Sequence, residues 1–170
     1  MKQRFRNLVD QHRHRIYTFA YYHLGNREEA EDVTQEVLIK MWQHRDKIEP
    51  ASLKAWLSRV TRNGCIDVIR KRNRYQAMVV PEEVIEAGVK TTAVGAGQNT
   101  ILDNLGFRME LEKALNTLEE PYRSIVILRE IQELKYDEIS KALDLPLNTV
   151  KVYLHRARRM LRTCLKETTG

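Results

Sequence analysis

Four of the seven glycines in this 170-residue chain, Gly88, Gly95, Gly97 and Gly106, crowd into one stretch, and that crowding limits what the chain can build. Residues 76–107 are rich in Gly, Ala, Thr and Val and have no aromatic before Phe107. They set Glu82, Glu83, Glu86 and Asp103 against the single Lys90. A segment with so little to bury reads as a flexible linker. It divides the chain into blocks 1–75 and 108–170, each small enough that its core must be modest. The four prolines, Pro50, Pro81, Pro121 and Pro146, all sit where a helix could begin or end.

Within the blocks the apolar residues keep helical spacing. Leu8, Val9, Ile16, Phe19, Ala20 and Leu24 predict a first helix ending at Gly25. Asn26 is the expected cap of a second helix, with Glu28 and Glu29 in its first turn and an end near Arg45. A third starts near Ser52 and continues to about Arg74, with Gly64 as a place for a bend. The second block predicts helices near 105–118, 121–133, 136–143 and 148–166. No stretch alternates like a strand. The expected fold class is therefore all-α, two small helical domains joined by a flexible linker.

Residues 136–162 carry the most specific pattern. A short helix with Ile139, Ala142 and Leu143 on its apolar side is followed by the break Asp144-Leu145-Pro146-Leu147. A longer helix follows, opened by Asn148 or Thr149 as cap. At 100° per residue Val150, Leu154, Ala157, Leu161 and Leu165 share one side of it. Lys151, His155, Arg156, Arg158, Arg159 and Arg162 project from the rest. This is a helix-turn-helix whose second helix suits a DNA major groove. A solvated amphipathic helix with a basic end is the bland alternative, and a membrane-surface helix would want the Trp or Phe that this one lacks.

The first block holds two faces of opposite sign. On the second helix Asp32, Gln35 and Glu36 lie at i, i+3 and i+4, an acidic strip that is either solvated or a docking surface for a cationic partner. On the third, Arg59, Arg62, Arg70, Lys71, Arg72 and Arg74 accompany the single acid Asp67. Arg59, Asn63, Asp67, Arg70 and Arg74 cluster on one side with Trp56. Such a mixture can hold phosphates, bond base edges and stack on an unpaired base; a solvated helix end with Trp56 in the core is the alternative.

A formal charge of +6, from 29 Lys and Arg against 23 Asp and Glu, and a sequence pI near 9.4 favour a polyanionic partner. No phosphate-cradling glycine loop, metal-spaced cluster or nucleophile elbow is present, so no enzyme, cofactor or metal site is expected. His12 and His14 point in different directions on a helix and make poor ligands. Cys65 and Cys164 read as buried thiols in a reducing cytoplasm. No run approaches the roughly 20 apolar residues of a membrane span, and the basic N-terminus lacks a signal peptide's apolar stretch, so a cytoplasmic protein without membrane insertion is expected.

Three ordered stretches resemble the sigma-70 family, in its small, two-domain, extracytoplasmic-function type. They are Glu29–Val37 with its Asp-x-x-Gln-Glu pattern, Leu53–Asn63 with Asp67 and the basic cluster behind it, and Leu118–Glu130 followed by the helix-turn-helix. The resemblance implies a transcription initiation factor made of sigma region 2, residues 1–75, and sigma region 4, residues 108–170. By it, Asp32, Gln35 and Glu36 would meet the clamp helices of the beta and beta-prime subunits of core RNA polymerase. Trp56, Arg59, Asn63, Asp67, Arg70, Lys71 and Arg74 would read the minus-ten element of promoter DNA, with Asn63 and Asp67 lining the pocket of a flipped base. Thr149, Lys151, Val152, His155, Arg156 and Arg159 would meet the minus-thirty-five element. The linker would thread toward the RNA exit path, and an anti-sigma factor would hold the protein inactive until a stress or envelope signal arrives. Three departures from the family's pattern bear on which promoter is read. Asn148 stands where Gly is common, Val152 where Ser is frequent, and Lys135 where a Ser cap is frequent. The rival reading is a free-standing helix-turn-helix repressor or activator, which would have no use for the acidic strip.

Overall fold

The computed structural model describes residues 2–78 and 102–169. These form seven α-helices: α1 Lys2–Leu24, α2 Arg27–Gln43, α3 Leu53–Met78, α4 Leu102–Thr117, α5 Tyr122–Val126, α6 Tyr136–Leu143 and α7 Leu147–Thr169. A single 3-10 turn, Pro50–Ser52, leads into α3, and α5 runs on through a π-turn, Ile127–Ile131. The all-α expectation holds, with no strand among the described residues. Helix reaches into both ends of the stretch read as linker, since α3 continues to Met78 and α4 begins at Leu102. The rest of that stretch, 79–101, lies outside the described residues.

Local chemistry explains the first boundaries. Gly25 closes α1 with φ +66°, a left-handed position that suits glycine, and its N–H donates to Tyr21 O at 2.8 Å. Asn26 caps α2 as expected, its Oδ1 accepting from the Glu29 N–H at 3.0 Å. Gly64 does not break α3. A Cβ there would meet Val33 Cγ1 at 3.2 Å, so the glycine serves the close approach of α3 to α2.

α1, α2 and α3 enclose the N-terminal core around Phe19, Val33, Val37, Met41 and Leu57. Thr34 and Thr61, both buried, donate to the carbonyls four residues back, at 2.7 and 2.6 Å, so no hydroxyl is stranded. The C-terminal core gathers Leu115, Ile125, Leu128, Leu134, Ile139, Val150 and Leu154. Of the two cysteines, Cys65 is buried, and burial pushes its thiol pKa up; Cys164 is only half-buried.

The two halves pack against each other, α3 on α6 and α1 on α4 and the π-turn. Glu120 is the polar centre of that seam. Its carboxylate meets His23 Nε2 at 2.6 Å, accepts from Arg62 Nε at 2.9 Å, and accepts from the Ser124 hydroxyl. Arg123 bridges as well, donating to Leu115, Leu118 and Asn116 carbonyls and to His23 O at 3.1 Å. Burial pushes the Glu120 carboxyl up, but the bonds from His23, Ser124 and Arg62 outweigh it and pull it down to about 2 from 4.5.

A depressed carboxylate stabilises the fold above its ordinary value and stops doing so as pH falls through the folded one. Urea unfolding followed between pH 4.5 and 2 is therefore expected to lose on the order of 3 kcal/mol that Glu120→Gln does not lose. A variant keeping the full acid slope would contradict the pairing.

Candidate functional site

α2 carries the first face. The Asn26 cap and the buried Ala30, Val33, Val37 and Met41 fix its rotation, and Asp32, Gln35 and Glu36 are left exposed together. At 100° per residue the same side continues through Ile39, 56% exposed, and Trp42, 40% exposed. Phe5 of α1 supports the Trp42 ring edge-on at 4.6 Å, and the Arg45 guanidinium lies 4.0 Å from its centroid. Exposed large apolar side chains beside an acidic strip give that strip an apolar centre. The sequence analysis assigns neither Ile39 nor Trp42 to this face. The signal was there, since Ile39 and Trp42 follow Asp32 and Gln35 by seven residues each.

The second face lies on α3. Asn63, Asp67, Arg70, Lys71 and Arg74 are all exposed, and Asp67, Arg70, Lys71 and Arg74 line one open cleft with Asn73. Asp67 and Arg70 pair at 3.8 Å. Trp56 is half-buried, packed against the core with its ring 5.9 Å from that of His44. The basic set divides. Arg72 is tied to the Glu29 carboxylate and donates to Leu24 O, which locks α3 to the start of α2. Arg62 is bound to Glu120. Arg59, though exposed, donates through its guanidinium to Lys141 O at 2.5 Å and Ala142 O at 3.3 Å. Lys71 and Arg74 keep their charge outward, and Arg70 shares its own with Asp67.

The third face is on α7. Ile139, Ala142 and Leu143 of α6 pack with Val150, Leu154, Ala157 and Leu161, as the periodicity predicts. Between the helices Asp144 adopts φ 54°, Leu145 N–H donates to Ser140 O at 3.1 Å, and the Ser140 hydroxyl returns to Leu145 O at 2.5 Å. These bonds set the angle of the turn. α7 begins at Leu147, a residue before the expected cap, so Asn148 and Thr149 lie within its first turn. Thr149 is half-buried; Lys151, Val152, His155, Arg156 and Arg159 are exposed. Arg158 is taken from the cationic face by Glu130, at 2.6 Å, and that bond holds its pKa above the ordinary value. Lys135 begins α6 without a side-chain cap, as expected, but the Glu138 side chain bonds back to its backbone and supplies half of a capping box.

Among the described residues no group of His, Cys, Asp and Glu could hold a metal ion, and no helix is long and apolar enough to cross a membrane. The site is thus three surfaces, one acidic with an apolar centre and two basic.

Comparison with known proteins covers both halves of the chain. Residues 8–75 match the family model of sigma-70 region 2, and residues 108–161 that of sigma-70 region 4. The chain is 34% identical to the extracytoplasmic-function RNA polymerase sigma factor SigE of Mycolicibacterium smegmatis over 93% of its own length and 60% of that protein's. It is 31% identical to SigW of Bacillus subtilis, over 96% of the chain and 89% of the relative. Among solved structures, the sigma factor RpoE of Bartonella quintana, crystallised with the anti-sigma factor NepR, is 30% identical. It superposes with a TM-score of 0.75, over 96% of this chain and 98% of that one. CnrH, solved with the cytosolic domain of CnrY, shares the fold at a TM-score of 0.73 and 19% identity. With both regions matched in order and relatives of this identity over nearly its whole length, the chain belongs to the extracytoplasmic-function group of the sigma-70 family.

Proposed function

We propose that this sigma factor docks on core RNA polymerase through the α2 face and carries it to promoters read by α3 and α7. The observation that carries the reading is the separation of the three faces: acid and apolar groups on α2, cations and an amide on α3, cations with Val152 on α7. Asp32, Gln35 and Glu36 present carboxylates and an amide to the basic, helical clamp of the beta and beta-prime subunits, with Ile39 and Trp42 as apolar anchors. α7 enters the major groove of duplex DNA, where Lys151, Arg156 and Arg159 contact phosphates or guanines and Val152 can meet a thymine methyl. Asn63 and Asp67 hold a base flipped from the non-template strand, and Arg70, Lys71 and Arg74 follow its backbone. The chain itself makes no bond; the polymerase does the chemistry in the cytoplasm, where the chain works without a cofactor.

The NepR complex of the Bartonella relative supports a further element, a sequestering anti-sigma factor. Co-purification with the product of a neighbouring gene tests it. Loss of transcription on adding that product is the supporting result, and a chain that stays monomeric and active beside every neighbour is the opposing one.

Holoenzyme binding to promoter fragments at several salt concentrations tests the α7 face. Lys151→Ala and Arg156→Ala are each expected to weaken binding, with the salt slope reduced by about 1 for a lost phosphate contact. An unchanged slope and affinity in both variants would count against the assignment.

A further inference from the structure

Opposite the stripe that α7 buries, one residue of its first turn carries an unbonded amide. At about 100° per residue the buried Val150, Leu154, Ala157 and Leu161 centre on one direction, and Asn148, Val152 and Arg159 all lie within about 30° of the opposite one. Asn148 and Val152 are exposed, and the Asn148 side chain makes no hydrogen bond within the described residues. Several cations of the helix are engaged otherwise. Arg158 is held by Glu130 at 2.6 Å, Arg162 Nε bends back to Arg158 O at 3.4 Å, and the Arg156 guanidinium lies 5.9 Å from the centroid of the Tyr153 ring. The outermost line of α7 therefore opens on an amide, not on a cation.

Length and charge decide what that amide can reach. A recognition helix enters the major groove with its N-terminal residues against the base edges. Long Lys and Arg side chains can turn aside there to the phosphates on either wall, whereas Asn and Val, short and uncharged, meet what lies directly beneath the helix. A carboxamide presents a donor and an acceptor side by side, which matches adenine N7 and N6 and no other base edge in that groove. A capping role is closed to Asn148, because α7 begins at Leu147 and the Val150 N–H already donates to Pro146 O at 3.0 Å, which places Asn148 inside the first turn.

We infer, resting on the reading of α7 as a major-groove helix, that Asn148 is a specificity-determining residue that bonds the N6 and N7 edge of one adenine in the upstream promoter element. Val152 follows one turn later, about 6 Å along the helix axis, so the base pair it meets is at most about two steps of about 3.4 Å away. The two short residues read neighbouring or next-neighbouring pairs, an adenine by its polar edge and a thymine by its methyl group. Glycine, common at the position of Asn148 in the resembling family, has no side chain to read that pair. The adenine preference thus belongs to this chain's own sequence.

The test selects bound fragments from a promoter pool randomised in the upstream element, with holoenzyme assembled from core polymerase and the full chain. The unaltered chain is compared with Asn148→Gly, Asn148→Asp and Val152→Ser, and circular dichroism checks that the helices remain. The unaltered chain is expected to favour adenine at one position by about tenfold, and Asn148→Gly to lose that preference at that position alone. Asn148→Asp, which can only accept, is expected to move the preference there from adenine to cytosine, whose N4 donates. The same position is expected within about two base pairs of the one that Val152→Ser alters. Preferences are ratios within one pool, so a change in overall affinity cancels. Selection of one and the same element by the unaltered chain and Asn148→Gly would overturn the assignment. So would a loss in Asn148→Gly spread evenly over all sequences, which marks a phosphate contact. A pool from which the unaltered holoenzyme selects no upstream sequence would contradict the DNA reading of α7 itself, and the assignment with it.

Discussion

Asp32→Arg is expected to lower the affinity of the chain for core polymerase by about 30-fold or more, roughly 2 kcal/mol, without altering its melting temperature. Asp32 is exposed on α2, and no hydrogen bond or ion pair within the described residues depends on it, so folding has nothing to lose. The effect comes from placing a cation where the docking strip of Asp32, Gln35 and Glu36 meets a basic partner, which exchanges attraction for repulsion. Ile39→Glu should act in the same direction, because it puts a charge into the apolar centre of the face. Competition for core polymerase against an unaltered, labelled copy of the chain measures both. Equal competition by either variant would remove that residue from the interface.

Phe19→Ala should be the most destabilising single change in the N-terminal half. Phe19 is 1% exposed, lies among the helices of that core, and stacks on the buried His23 ring at 5.5 Å between centroids. Truncating a buried Phe costs about 3–5 kcal/mol through lost transfer energy and the cavity left behind. For a half of some 75 residues that is a large share of a total stability of about 5–15 kcal/mol, and it corresponds to a melting shift of about 15 °C or more. Because His23 carries Glu120 across the seam, the C-terminal half should loosen with it. Calorimetry reads both effects. A shift of only a few degrees would mean that the site collapses around the gap or that α1 packs less tightly than described.

Much of the fold was legible because the helices obey local rules. Gly25 and Asn26 end one helix and start the next, and the stripe Val150, Leu154, Ala157 and Leu161 names its own buried side. The site residues were legible as faces, because Asp32, Gln35 and Glu36, or Asn63, Asp67, Arg70 and Arg74, depend only on the period of a helix. What composition and periodicity could not supply is the pairing of distant residues. Arg59, Arg62, Arg72 and Arg158 look alike in sequence, each a cation on a basic helix, yet all four are bonded elsewhere in the chain. Glu120 and His23, 97 positions apart, meet only because two helical halves pack. The half-buried state of Trp56 and the open state of Trp42 likewise depend on neighbours supplied by other segments.

Reconstituted transcription tests the central claim most directly: purified core polymerase and genomic fragments, with and without the chain, followed by mapping of transcript starts. The account predicts starts downstream of one shared two-part sequence that appear only when the chain is added and are lost with Asn63→Ala. Core polymerase that gains nothing from the chain, together with tight binding of the chain alone to duplex DNA, would contradict it and favour a free-standing repressor.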